Sequence, residues 1–564
     1  MKRNYFTQKR IVSIAIIFWF VINLLQAIFT NLHSDEVYYW TYSWKLQWAY
    51  WDNAPLIGLY IFIGDYLFPY SEIGVRLITV FSGTLAIYIV WLCTDRKDAV
   101  LFFALIFGMA LMHAGGFMAA PDAPLALTNA LLLLSYKKYA ETTSVMHAVF
   151  LGLAMAMVMY SKYQGAMLIG MLVIANPKIV FKKQSVITLL VFIIAFLPGF
   201  LALYNLNFST FQYHLSGKNQ ESWKWNWTTD FIAGQFLAAG PFVGLIIIPL
   251  LFIHKPATVF LRSMRLSAIG IYLFLILLSF KVYVLGNWSA SVLFPLILIG
   301  HDALKSKLQF RKWAIRGGIA GLVLILLFRI YIATTLPLPK TLNFHFRDWD
   351  NWAKETHAIA GDKPLVFFNS FQLPARYAFL IKTHQVFSLS NLYYHPTQFD
   401  YSEIEQELQG KSVVFICKTD FHSGDSVIDP LHGNYYLYQI HSFCSGQKII
   451  IETTTKTYTV KAGEKFIVPI TILPNPLSIS ESIICDDYNF YPACHIRLGN
   501  KYVTEQIIKS DSLDIHNPEI QNLQVEITAP YEPGSYDMLF SIATDWYIPY
   551  FGTNGKWLEL IVTP

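Results

Sequence analysis

Asp35 and Glu36 stand side by side just past the first long apolar run, in His33-Ser34-Asp35-Glu36-Val37-Tyr38-Tyr39-Trp40. Adjacent carboxylates at a membrane boundary are costly if they turn toward lipid, so they are expected to face a wet cavity, where a carboxylate can accept a proton from a hydroxyl. The plainer reading is the start of an interfacial helix, with Ser34 as cap, acids in the first turn and three aromatic residues as a belt. The two readings are compatible. A second cluster, Tyr50-Trp51-Asp52-Asn53-Ala54-Pro55-Leu56, lies further along the same loop and reads equally as a polar turn before an amphipathic helix. The third carboxylate is Asp122 in Ala120-Pro121-Asp122-Ala123-Pro124-Leu125, where a helix-starting acid beside proline is the plainer reading.

What must position these residues is a membrane domain. The chain has 564 residues, 54% hydrophobic and 14% charged, against about 25% charged in soluble domains. Apolar segments near 11–30, 76–94, 98–117, 122–137, 145–161, 164–179, 184–204, 232–253, 266–283, 288–303 and 313–333 predict about eleven spans. The first follows Lys2, Arg3, Lys9 and Arg10 and reads as a span, because it is longer than a secretory signal core and no small-residue cleavage site follows. Lys and Arg recur at 96–97, 137–138, 178–183, 255–265 and 305–312, whereas the loops 31–75, 114–121, 162–163, 205–231 and 284–287 are poor in them. Positive charge marks the cytoplasmic side, so the N-terminus is expected inside and the three carboxylate clusters, with the C-terminus, outside. The net charge of +5 reports this topology and gives no case for nucleic-acid binding.

Domains are expected at 1–337 (membrane, with the outer-face loop 31–75), 338–434 (a soluble α/β unit) and 435–564 (β-rich and sandwich-like). Strands are predicted at 365–368, 412–417, 448–455, 457–460, 465–472, 524–529 and 536–543, and helices at 347–360 and 372–381. Cys417, Cys444, Cys485 and Cys494 fall in the outer region, with Cys485 and Cys494 either paired to each other or free, while Cys93 is expected unpaired.

The carboxylate motifs, in this order and together with Tyr160-Ser161-Lys162-Tyr163 and Gly286-Asn287-Trp288, resemble the polytopic GT-C glycosyltransferases. The resemblance is to the bacterial branch related to protein O-mannosyltransferases and the lipid A aminoarabinose transferases. It implies a GT-C-like membrane domain that moves a sugar from a polyprenyl-phosphate carrier to a lipid, glycan or protein acceptor on the outer face, usually with inversion. The family's catalytic acid corresponds to Asp35, the second acid to Asp122, and Asp52 to a polar member of the donor cavity. Asn53 departs from the His or Lys that related chains often carry beside the proline. Glu36 joins Asp35 and Asp122 as a catalytic candidate, with His33 and Tyr39 beside them.

A leaving lipid phosphate needs cations, donors or a metal as its bond to the sugar breaks. Lys162 and Arg76 are the candidates in this sequence, although a lone outer lysine is also an ordinary interfacial anchor. No other cofactor is expected, and need for a divalent cation stays open. His113 and His214 are lone histidines without an assigned role. Loop 205–231, with Tyr213, His214, Lys218, Lys224 and Trp223, Trp225 and Trp227, reads as an interfacial aromatic loop or a cover for the cavity. The competing function classes are a lipid-linked-sugar transporter, which would need polar residues near helix midpoints, and an anchored binding protein, for which eleven spans are excessive.

Overall fold

The computed structural model describes residues 2–212, 223–334, 336–337, 339, 345–346, 349–420, 425–429, 433–476, 487–499, 501–509, 512–515, 517–545 and 554–564. Tyr213, His214, Lys218 and Cys485 lie outside the described residues. The chain forms two compact units, Met1–Arg347 and Asp348–Pro564.

The first unit is helical: α1 (Lys2–Phe29), α2 (Ser34–Thr41), α3 (Leu56–Leu67), α4 (Glu72–Cys93), α5 (Ala99–Phe107), α6 (Ala110–Gly115), α7 (Asp122–Glu141), α8 (Val145–Ser161), α9 (Ala166–Ala175), α10 (Ser185–Asn205), α11 (Ser209–Gln212), α12 (Trp225–Ala238), α13 (Val243–Ile253), α14 (Val259–Leu278), α15 (Leu293–Leu304) and α16 (Leu308–Ala333). Several begin where a short polar side chain accepts from a first-turn N–H: Ser71 for α4, Asp98 for α5, Ser144 for α8 and Thr258 for α14.

By length and composition, five helices can each cross a membrane: α1 from Phe6, α4, α10, α14 and α16. The other expected segments form helices or broken helices that are shorter or more polar. Two expected spans are not straight. Segment 98–117 breaks between α5 and α6, and 232–253 is the pair α12 and α13, bent by 106°. Glycine explains both. Gly240, at the bend, has φ +94°, and a Cβ there would lie 1.9 Å from the Gly108 carbonyl oxygen; one on Gly318 of α16 would lie 2.1 Å from that of Ala104. Bare backbone therefore lets the α5 end, the α12–α13 bend and α16 meet.

The basic loops gather on one face. Lys137 Nζ donates to the Cys93 carbonyl at 2.9 Å, Arg311 grips Asp98 at 2.5 and 2.8 Å, and Lys305 bridges Asp95 and Asp302 at 3.0 and 2.9 Å. Helices α4 and α7 end at this face and start, at Glu72 and Asp122, at the opposite one.

The second unit opens with α17 (Trp349–Ala360), α18 (Gln372–Ile381) and α19 (Ile404–Leu408) around a mixed sheet of order β2-β1-β3-β5-β4. Its strands are β1 (Leu365–Phe368), β2 (Val386–Leu389), β3 (Val413–Cys417), β4 (Asp425–Asp429) and β5 (Gly433–Ile440). β1 runs parallel to β2 and β3, while β5 is antiparallel to β3 and β4. Two antiparallel-rich sheets follow. One, β10-β9-β12-β13-β7, is built from β7 (Thr457–Lys461), β9 (Phe490–Leu498), β10 (Lys501–Ile507), β12 (Gly534–Thr544) and β13 (Leu558–Thr563). The other, β11-β8-β6, holds β6 (Ile451–Thr453), β8 (Lys465–Ile472) and β11 (Gln521–Thr528). Cys494 is a free, buried thiol within β9, so the pairing with Cys485 is not made; Cys444 is disulfide-bonded, and Cys93 and Cys417 are free.

Candidate functional site

The first long loop, 31–55, is built on a capping box. His33 Nδ1 accepts from the Asp35 N–H at 3.1 Å, and the Glu36 carboxylate accepts from the His33 N–H at 2.8 Å. Successive helix residues point about 100° apart, so this start turns one of the two acids inward and the other away. Glu36 is the inward one: its side chain is 1% exposed, against 45% for Asp35.

Glu36 meets Arg76 of α4. Arg76 donates to it through Nε at 2.7 Å and NH2 at 2.5 Å, to the Asn31 carbonyl through NH2 at 3.0 Å, and through NH1 to the carbonyls of Ala27, at 3.3 Å, and Thr30. Those are all five N–H groups a guanidinium has. The Ala119 N–H adds a bond to Glu36 Oε1 at 2.7 Å. Burial alone would raise the Glu36 carboxyl, but Arg76 and the N–H groups of Ala119 and His33 outweigh it and hold it below its usual range. An ionised, saturated carboxylate is poorly placed to take a proton, and a saturated guanidinium has no N–H left for a phosphate. The pair instead ties the ends of α1 and α4 and the segment before Asp122 to the start of α2.

Asp52 accepts from the Tyr38 hydroxyl at 3.0 Å and from that of Tyr42, to which Asn53 Nδ2 donates at 3.4 Å. Burial raises the Asp52 carboxyl above its usual range, and the tyrosine hydrogen bonds offset part of the effect. The Tyr42 ring stacks on Tyr50 at 4.1 Å, and Tyr39 packs edge-on to Tyr42 at 5.6 Å. Ser209 and Thr210 each donate to the Trp51 carbonyl at 2.8 Å, so α11 holds this loop from the other side. Asn53 is thus part of the tyrosine cradle around Asp52.

Asp122, the first residue of α7, accepts from Lys162 Nζ at 2.6 Å and from Asn287 Nδ2 at 2.8 Å. Lys162 caps the end of α8, and Asn287 sits in the 3-10 turn Gly286–Val292 before α15. Three motifs far apart in the chain therefore meet at one carboxylate. Both side chains of the ion pair are nearly buried, 11% exposed for Lys162 and 16% for Asp122. A small cavity of about 40 Å³ lies beside Asp122, lined by Trp19, Gly83, Gly116 and Asn129 among others. Asn129 Oδ1 is buried there without a partner among the described residues. Nor, among the described residues, do three His, Cys, Asp or Glu side chains come together to hold a metal ion.

Two groups escaped the sequence reading. Asn287 appears there only within a motif, with no contact assigned to it. More surprisingly, Arg329 of α16 is buried, donating to Gln26 Oε1 at 3.1 Å, Asn23 Oδ1 at 3.1 Å and the Ile22 carbonyl at 3.0 Å, with His113 Nδ1 at 3.0 Å from NH1. Arg76 and Arg329 both lie against the Phe117 ring, at 5.4 and 5.1 Å. The available signal was Asn23 and Gln26, three apart on one face of α1, opposite a lone arginine in an apolar run.

Residues 52–202 match the family model "Dolichyl-phosphate-mannose-protein mannosyltransferase". That segment holds Asp52, Asp122 and Lys162 but not Asp35. The crystal structure of ArnT from Cupriavidus metallidurans in the apo state superposes with a TM-score of 0.56 at 13% identity, covering 76% of this chain and 97% of that one. ArnT from the same organism bound to undecaprenyl phosphate gives 0.55 at 13%, with the same coverage. No curated protein sequence matches the chain. The chain is a polytopic membrane protein with a C-terminal β-rich region. Its fold is the GT-C fold, related to that of ArnT and the protein mannosyltransferases.

Proposed function

We propose that the chain is a glycosyltransferase that takes a sugar from a polyprenyl-phosphate carrier and delivers it to a lipid, glycan or protein acceptor. The carrier class is suggested by the undecaprenyl phosphate named for the ArnT structure. The membrane is the plasma membrane, with the basic face and N-terminus cytoplasmic and the C-terminal unit outside. The soluble part is read as an α/β domain over 338–434 and a β domain over 435–564.

The observation that carries this reading is the meeting of Asp122, Lys162 and Asn287 on the membrane face that also presents Asp35. In the reaction, the acceptor O–H gives its proton to Asp35 as its oxygen bonds to the anomeric carbon. The bond from that carbon to the phosphate oxygen breaks, and polyprenyl phosphate leaves with the electron pair. Lys162 keeps two N–H donors beyond the one on Asp122, and these stabilise the charge that grows on the phosphate. Asp122 and Asn287 fix the lysine. Asp52, Asn53 and Tyr39 shape the donor side of the loop, and Glu36 and Arg76 act as positioning residues that aim Asp35.

The transporter reading gains little from the buried Arg329. It lies four residues from the end of α16, about 6 Å along the axis and on the Asp35 side, rather than near the helix midpoint. Membranes with and without the chain, supplied with labelled polyprenyl-phosphate sugars, separate the two. Chain-dependent label on an acceptor, matched by released polyprenyl phosphate, supports transfer. Label that crosses the bilayer still attached to its carrier overturns it.

A further inference from the structure

At the opposite end of α7 from Asp122 lies a second cavity, of about 300 Å³, between α7, α8, α9 and α10. Its wall is almost wholly apolar, with Leu132, Leu151, Met155 and Leu172 inside and Tyr136 and Tyr139 as its aromatic members. The hydroxyls of those tyrosines are already bonded, to Ser263 Oγ at 2.7 Å and Ser185 Oγ at 2.8 Å. Tyr139 is 17 residues beyond Asp122, about 25 Å along the helix, so this cavity is separate from the catalytic face.

The mouth of the cavity is basic. Ile179, Val180, Ser185 and Val186 line it, and Lys178, Lys182 and Lys183 are interleaved with them in sequence. Lys182 Nζ stands 5.2 Å over the Tyr139 ring and donates to Thr143 Oγ1 at 2.7 Å, which places its charge beside the cavity wall. Lys138, Lys178 and Lys183 are exposed, and Glu141 is the sole acidic residue between Ala123 and Tyr204. Between the lysines at 178 and 182, Phe181 is 86% exposed, as expected of a turn seated in the headgroup layer of a bilayer.

We propose that this cavity binds a membrane phospholipid with an anionic headgroup, its acyl chain in the apolar pocket and its phosphate on the lysines at 138 and 178–183. Apolar volume alone would accept any acyl chain. The excess of fixed positive charge at its rim selects an anionic headgroup, because a basic residue near the surface favours an anionic lipid by about 1 kcal/mol.

The test uses the full-length protein in nanodiscs of phosphatidylcholine with increasing phosphatidylglycerol, followed by detergent extraction and mass spectrometry of the lipid retained. The wild type should retain phosphatidylglycerol in preference to phosphatidylcholine. Lys178→Gln with Lys183→Gln, both exposed and so without consequence for folding, should weaken that preference about 30-fold, the two lysines' contributions combined at 1.4 kcal/mol per decade. Val186→Trp, which fills the mouth from an exposed position, should abolish retention of either lipid. Equal retention of both lipids by the wild type, or retention unchanged in the lysine double variant and in Val186→Trp alike, overturns the proposal.

Discussion

Arg76 donates all five of its N–H groups within the protein, two to Glu36 and the others to the carbonyls of Ala27, Thr30 and Asn31. The pair therefore acts on Asp35 through the geometry of α2 and not through the substrate. Arg76→Met leaves Glu36 buried and unpaired, which costs about 3–5 kcal/mol. The expected outcome is a large fall in melting temperature in detergent together with poor expression. A variant of wild-type melting temperature with a raised KM for the lipid donor would return Arg76 to the phosphate.

Lys162 should behave differently, since its partner Asp122 lines the small cavity. Lys162→Gln keeps a donor toward Asp122 but removes the charge, so the chain should fold while kcat falls about 10²–10³-fold. Asn287→Ala removes one hydrogen bond to a charged group, about 1.5–3 kcal/mol, and should weaken turnover through a looser Lys162. Donor turnover under single-turnover conditions measures both, and a Lys162→Gln enzyme of normal rate would remove the lysine from the reaction.

Glu36 and Asp52 should give the loop opposite pH dependences. The Glu36 carboxyl is depressed by folding, so its contribution to stability is present above the ordinary carboxylate range and is lost as pH falls through the lower folded value. The Asp52 carboxyl is raised, so the folded state binds a proton more tightly there, and stability falls as pH climbs from the ordinary value through the raised one. Melting curves from about pH 2 to about pH 8 should show Asp52→Asn losing the decline with rising pH, and Glu36→Gln losing the decline on acidification below the ordinary carboxylate range. The same pH profile in both variants would contradict these environments.

Much of the site was legible because its residues carry local signals. Asp35, Asp52 and Asp122 each sit beside a turn or cap, and Pro121 and Ser34 mark the helix starts that follow. Which of Asp35 and Glu36 turns inward was not legible, because it depends on the reach of Arg76 from 40 residues away. The Asn287 to Asp122 bond spans 165 residues, and no local pattern announces it. Arg329 was hidden by its own helix, since one arginine barely lowers the mean hydropathy of a long apolar run while its partners lie on α1 and α6.

In the C-terminal unit, alternation found Lys465–Ile472 with its correct ends but missed Phe490–Leu498. That strand lies between two others and is buried on both faces over much of its length, so no period of two survives in its sequence. Cys494, buried in the same strand, is a free thiol, although its closeness in sequence to Cys485 suggested a bond.

The most direct measurement is the rate of sugar transfer by purified wild-type chain and by Asp35→Asn in proteoliposomes with a labelled polyprenyl-phosphate sugar. The substitution keeps the size of a half-exposed side chain and removes its ability to take a proton. The expected result is an unchanged melting temperature and a transfer rate lower by about 10²–10⁴-fold. An Asp35→Asn enzyme that turns over within about threefold of the wild type would contradict it, because an effect that small falls far below the contribution of a general base.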